Sequence, residues 1–180
     1  MSTMSIQPHV TFDEFLVLEQ EADVKHELIG GIIYAMAGAS IRQNEIVMNL
    51  SITIGPEARK HGCRALAADQ LVRVDDMNGK YPDFGVYCLP ESDTIYATTP
   101  SLLAEVLSPS SHERDKILKL SIYKRIESLR AYLVVDPVSR SVLAHLRDDR
   151  GRWSTLTCSE TDVLTLPCPY MLLSISDLFI

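Results

Sequence analysis

Two carboxylates stand where charge is costly. Glu105 lies inside the apolar run Leu102-Leu103-Ala104-Glu105-Val106-Leu107, and Asp83 heads Asp83-Phe84-Gly85-Val86-Tyr87-Cys88 directly after Tyr81-Pro82. An acid in a run that reads as buried strand is expensive unless it is paired, hydrogen-bonded or bound to a cation, so two such sites point to a shared partner. Ser108-Pro109-Ser110-Ser111 then gives a turn and a helix-start signal, and the helix it opens carries Asp115, Lys119 and Tyr123 at four-residue intervals. Two acids at strand ends and a lysine on the next helix are the equipment for attack of water on a phosphodiester assisted by Mg²⁺ or Mn²⁺. Oxygen ligands suit such hard ions, and an ammonium can face the negative charge that develops.

Plainer readings compete at each position. Asp83 after Pro82 can cap a strand behind a turn, and Lys119 can pair with Asp115 four residues earlier, the favoured orientation for a helical ion pair. Glu105 has the weakest alternative, because acids within apolar strands are uncommon unless satisfied.

The elements that must position these groups follow from periodicity. Thr11 with Glu14 is a capping-box pattern before a short helix, and His26-Glu27-Leu28-Ile29 and Ile32-Ile33-Tyr34-Ala35-Met36-Ala37 flank Gly30-Gly31 as a hairpin. Residues 41–61 place Ile46, Val47, Leu50, Ile54 and Ala58 on one stripe of a longer helix that Pro56 can kink or split. Strand patterns follow at 64–67, 71–74 and 83–88, with Asp75 to Lys80 read as a turn and 89–100 as a connection. After Glu105 come a helix over about 112–126, a buried strand at 131–135, a hairpin of 142–146 with 153–157, and a closing segment at 172–180. Strand, helix, strand implies a crossover, so the expected class is α/β (α+β), a central mixed sheet flanked by helices.

The chain has 180 residues, 46% of them apolar, with no Pro/Gly/Ser-rich divide, which predicts an N-terminal tail over 1–10 and a single domain over 11–180. Cys63, Cys88, Cys158 and Cys168 form no C-x-x-C pair, and the N-terminus has no secretory pattern, so reduced thiols and a cytoplasmic location are expected. No apolar run is long enough to cross a bilayer. The net charge of −7 argues against strong nonspecific binding to nucleic acid, although residues 112–130 carry six basic groups against three acids. For the charges themselves, a solvated helix face is the favoured reading. The histidines lack zinc-type spacing, no phosphate-cradling glycine motif occurs, and Ser110, Ser111 and His112 do not make a nucleophile elbow.

Read together, Phe12 to Leu16, His26 to Gly31, Met36 to Ser40, Tyr81-Pro82-Asp83, Glu105 to Ser110 and Asp115 through Lys119 to Tyr123 resemble the PD-(D/E)XK nuclease superfamily, and within it the Uma-type restriction endonuclease family. The resemblance spans about residues 11–179 and implies a restriction-endonuclease-like core and Mg²⁺-dependent hydrolysis of phosphodiester bonds in DNA. It implies Asp83 and Glu105 as catalytic acids and metal ligands, with the backbone carbonyl of Val106 as a further ligand. The motif lysine two residues after the second acid is replaced by Leu107, and the resemblance transfers its role to Lys119. Glu27 is an additional candidate ligand for metal or water, set against pairing with Lys25 or His26. Tyr123 is a candidate hydrogen-bond partner for phosphate or Lys119, set against a half-buried core role. Gln43 stands where the resemblance implies a histidine. A homodimer is expected by analogy with small nucleases that use two copies to cut two strands. Two rivals are a decayed nuclease-fold module that binds nucleic acid or a protein partner without cleavage, and a nuclease for RNA or a structured substrate.

Overall fold

The computed structural model describes residues 9–108 and 113–180, without the side chains of 113–116. Pro109, Ser110 and Ser111 of the helix-start signal, and the side chain of Asp115, therefore lie outside the described residues.

Helix α1 (Phe12–Gln20) begins at the expected Thr11–Glu14 capping box and buries Phe12 and Phe15. The hairpin of β1 (His26–Ile29) and β2 (Ile32–Ala35) turns through Gly30 and Gly31, both at positive φ. Helix α2 (Ile41–Lys60) is continuous through Pro56. Burial of Ile54 and Ala58 on either side of that proline outweighs the backbone hydrogen bond it removes, since each large aliphatic group taken out of water contributes roughly 1.5–3 kcal/mol.

Strands β3 (Arg64–Ala67), β4 (Leu71–Asp75), β5 (Asn78–Lys80), β6 (Phe84–Tyr87), β7 (Tyr96–Ala97) and β8 (Leu102–Val106) come next. The stretch read from sequence as a turn thus contains β5, and the 89–100 connection contains β7. A tight reversal at Asp75–Asn78 needs fewer residues than the polar run suggested, which frees Asn78 to Lys80 to pair with β1 and β4. Helix α3 (Glu113–Tyr123) crosses from β8 to β9 (Ala131–Asp136), which run parallel. A hairpin of β10 (Ser141–Arg147) and β11 (Trp153–Ser159) follows, then a second of β12 (Val163–Pro167) and β13 (Tyr170–Ser174) that the sequence pattern did not reveal, and a 3₁₀ turn over Ile175–Leu178.

Three sheets result, a five-stranded one in the order β2-β1-β5-β4-β7, a six-stranded one in the order β11-β10-β9-β8-β6-β3, and the two-stranded β12-β13 hairpin. Alternation along β8 sorts its side chains between two cores. Leu102, Ala104 and Val106 join Ile46, Leu50 and Ile54 of α2, whereas Leu103 joins Tyr123 and Tyr132 on the side of α3. Phe12, Phe15, Leu28 and Leu71 make a third cluster under α1. Gly79 is required there, because a Cβ would come within 2.7 Å of the Phe12 ring. The segment Tyr81-Pro82-Asp83 carries the chain from β5 of the five-stranded sheet to β6 of the six-stranded one.

One expectation is overturned outright. Cys63 and Cys88 form a disulfide. They are 25 residues apart in sequence, but the antiparallel pairing of β3 with β6 sets Arg64 opposite Tyr87 and brings the flanking cysteines together. Cys168 lies beside them, its Sγ 3.5 Å from that of Cys88. The thiol argument for a reducing compartment therefore falls. Among the described residues, no helix is long and apolar enough to cross a membrane.

Candidate active site

Register places the two acids together. Phe84 pairs with Ala104 and Gly85 with Leu103 across β6 and β8, so one further step sets Asp83 opposite Glu105. Both acids share the sheet face that α3 covers, because each is one residue removed from a position packed under α2. The Val106 N–H donates to Asp83 Oδ2 at 2.6 Å, which ties the head of β6 to the end of β8. Glu105 is only 7% exposed. Its two oxygens each accept a hydrogen bond from α3, Oε2 from Lys119 Nζ at 2.7 Å and Oε1 from the Tyr123 hydroxyl at 2.8 Å.

The second sheet supplies the opposite wall. Leu28 pairs with Gly79, and the next step of that register sets Glu27 of β1 opposite Lys80 of β5. Lys80 is fully buried and donates to Glu27 Oε2 at 2.9 Å. Glu27 Oε1 is buried, has no hydrogen-bond partner among the described residues, and lies 3.9 Å from Lys119 Nζ. The plainer pairing of Glu27 with Lys25 or His26 does not occur: Lys25 pairs with Asp69, and His26 with Glu19. Glu27, Lys80, Asp83, Glu105 and Lys119 line one cleft of about 350 Å³, together with Gln43, Val106, Tyr132 and Tyr34.

The electrostatics follow from burial and proximity. Burial and the neighbouring Glu105 charge push the Asp83 carboxyl up to about 6, against the Val106 N–H and Lys119, which favour its ionised form. Burial disfavours the Lys119 ammonium, but Glu105 and Glu27 more than offset this and hold its pKa above the ordinary lysine value. For Lys80 burial wins, and its pKa lies below that value despite Glu27. Tyr123 is wholly buried, not half-buried, and burial together with Glu105 raises its hydroxyl so far that it stays a donor.

The structure thus brings together the candidate site residues Asp83, Glu105, Lys119, Glu27, Tyr123 and the backbone of Val106. Lys80 was missed, because Asp75 to Lys80 read as a polar turn. Its one signal in the sequence was its place three residues before Asp83. Gln43 also takes a defined place. Its Oε1 accepts from the Ser40 N–H in the capping box of α2, and its Nε2 donates to the Val106 carbonyl at 3.2 Å. That is the carbonyl expected to hold metal, and α2 is thereby fastened to the cleft.

Clustered carboxylates with an ammonium, on adjacent strands of a mixed sheet between helices, define a restriction-endonuclease-like fold. The family model described as "Uma2: Putative restriction endonuclease" matches residues 12–175, and the chain belongs to that family. Two relatives come from Synechocystis, both named only as uncharacterized proteins. The protein slr1290 is 32% identical over 162 residues, covering 88% of this chain and 85% of its own, and sll1609 is 33% identical over 132 residues, covering 71% and 75%. A crystal structure described as a "putative nuclease belonging to DUF820", from Anabaena variabilis, superposes with a TM-score of 0.78 at 22% identity. It covers 94% of this chain and 97% of its own.

Proposed function

We propose that this protein is a divalent-metal-dependent endonuclease that hydrolyses phosphodiester bonds in DNA. The observation that carries the reading is the convergence of Asp83, Glu105 and Glu27 on one cleft with Lys119 between them. Two carboxylates and a backbone carbonyl are donors of the kind a hard cation takes, while among the described residues no three acidic, histidine or cysteine side chains stand as a group placed to hold an ion. Glu27 Oε1 is a buried carboxylate oxygen without a hydrogen-bond partner among the described residues.

Asp83, Glu105 and the Val106 carbonyl would hold Mg²⁺ or Mn²⁺, with Glu27 as an additional ligand. Such an ion, when bound, acidifies water and polarises a phosphoryl oxygen. Lys119 is held protonated by its acids, which supports a role in orienting water and balancing negative charge in the transition state rather than in accepting a proton. The Tyr123 hydroxyl and Lys119 between them fix the Glu105 carboxylate from both oxygens, and the Val106 N–H orients Asp83. Preorganised carboxylates need no rearrangement when charge develops. A homodimer would present one cleft to each strand, and light scattering reads that directly.

The test is cleavage of plasmid DNA with Mn²⁺ or Mg²⁺, in chelator, and by Glu105→Gln. Metal-dependent turnover that the variant loses supports the reading. Leu107 at the motif-lysine position favours the rival, a module that binds without cutting. Metal-independent binding of DNA with no turnover under any ion would select it.

A further inference from the structure

Three of the four cysteines stand together, away from the carboxylates. Cys63, between α2 and β3, is bonded to Cys88, which directly follows β6. Cys168, in the turn between β12 and β13, brings its Sγ to 3.5 Å from that of Cys88. Cys63 is buried, whereas Cys168 is half-buried and carries a free thiol. Cys158 is the other free thiol and is buried in the core that α2 packs on.

A disulfide changes partners when a thiolate attacks one of its sulfurs and expels the other. Reacting atoms about 3–3.5 Å apart are at attack distance, and Cys168 stands at that separation from Cys88. Because the sulfur it meets is that of Cys88, Cys63 is the leaving group. A released Cys63 thiol finds an acceptor beside it, since the His61 carbonyl oxygen lies 3.7 Å from Cys63 Sγ.

We propose that Cys63, Cys88 and Cys168 form a thiol–disulfide exchange site, through which the protein interconverts between a Cys63–Cys88 and a Cys88–Cys168 disulfide. The Cys168 thiol gives up its proton and its sulfur bonds to Cys88 Sγ. The Cys63–Cys88 bond breaks, and Cys63 leaves as a thiolate that takes up a proton. One sulfur–sulfur bond forms as another breaks, with no net oxidation and no co-reactant. What changes is the element stapled to β6, the strand headed by Asp83. Through Cys63 the tie runs to the corner between α2 and β3, and through Cys168 it runs to the turn of the β12–β13 hairpin. The exchange is independent of the nuclease reading.

The test is the position of the free thiol. Whole protein is incubated in mildly alkaline buffer without added thiol, quenched in acid, unfolded in urea, alkylated with N-ethylmaleimide and digested without reduction. Mass spectrometry should then find both the Cys63–Cys88 and the Cys88–Cys168 peptides. Alkylated Cys63 should appear in the same proportion as alkylated Cys168 is lost, because exchange moves one thiol and creates none. Cys63–Cys88 as the sole pairing, or alkylation of all three cysteines, would overturn the proposal. Cys63→Ala treated with oxidised glutathione should resolve to Cys88–Cys168 with release of glutathione. A lasting glutathione adduct on Cys88 or Cys168 of the folded variant would overturn it as well, and the wild-type pairing decides the matter even where that variant does not fold.

Discussion

Replacing Asp83 with asparagine should stabilise the metal-free protein while abolishing its cleavage. Burial, reinforced by Glu105, raises the Asp83 carboxyl from 3.8 to about 6. A difference of roughly two units, at about 1.4 kcal/mol per unit, sets a penalty of about 3 kcal/mol for keeping this group ionised in the folded state. The pH dependence follows in sign. Between about pH 4 and 6 the native protein holds a proton that the unfolded chain has released, so stability falls as pH rises through that window. The penalty is complete above the folded value and absent below the unfolded one. Asparagine never ionises, and its side-chain oxygen still accepts from the Val106 N–H. Urea unfolding in EDTA should therefore show Asp83→Asn and wild type nearly equal at about pH 4 and about 3 kcal/mol apart at pH 7.5, a large share of a typical 5–15 kcal/mol. Equal stability at pH 7.5, or a gain that ignores pH, would refute the assignment of Asp83 as an acid held charged against its surroundings.

Lys119→Met should lower turnover by about a hundredfold or more while Mn²⁺ binding by calorimetry persists, since it removes a cation facing developing charge rather than a ligand. Unchanged turnover would reduce Lys119 to a structural ion pair. Tyr123→Phe leaves the packing intact but strips a buried donor from Glu105, and denaturant titration should show a loss of about 1.5–3 kcal/mol. Gly79→Ala drives a methyl against the Phe12 ring, and a drop of about 1–3 kcal/mol by the same titration is expected. A neutral effect would mean that α1 is not seated on β5 as described.

Local chemistry made much of the fold legible. The Thr11 capping box, the Gly30-Gly31 turn, the stripe of α2 and the apolar runs of β8 and β9 are each set by neighbours within a few residues. Asp83 and Glu105 stood out for a related reason, because charge inside an apolar run is anomalous whatever the tertiary structure. What periodicity could not carry was pairing between distant segments. Strand β5 is too short to show alternation, and Lys80 became visible only when β1 lay beside it and Glu27 faced it. The same reason hid the Cys63–Cys88 disulfide, a consequence of the register of β3 on β6.

The sequence by itself marked two acids as places where buried charge needs a partner, since desolvation makes such charge costly everywhere in the chain. Only the tertiary structure decided which cations meet which carboxylates. Lys119 meets Glu105 across from its own helix, and Lys80 reaches between strands to Glu27, because ion pairing depends on distance through space, and register between separate strands is set by the packing of whole faces.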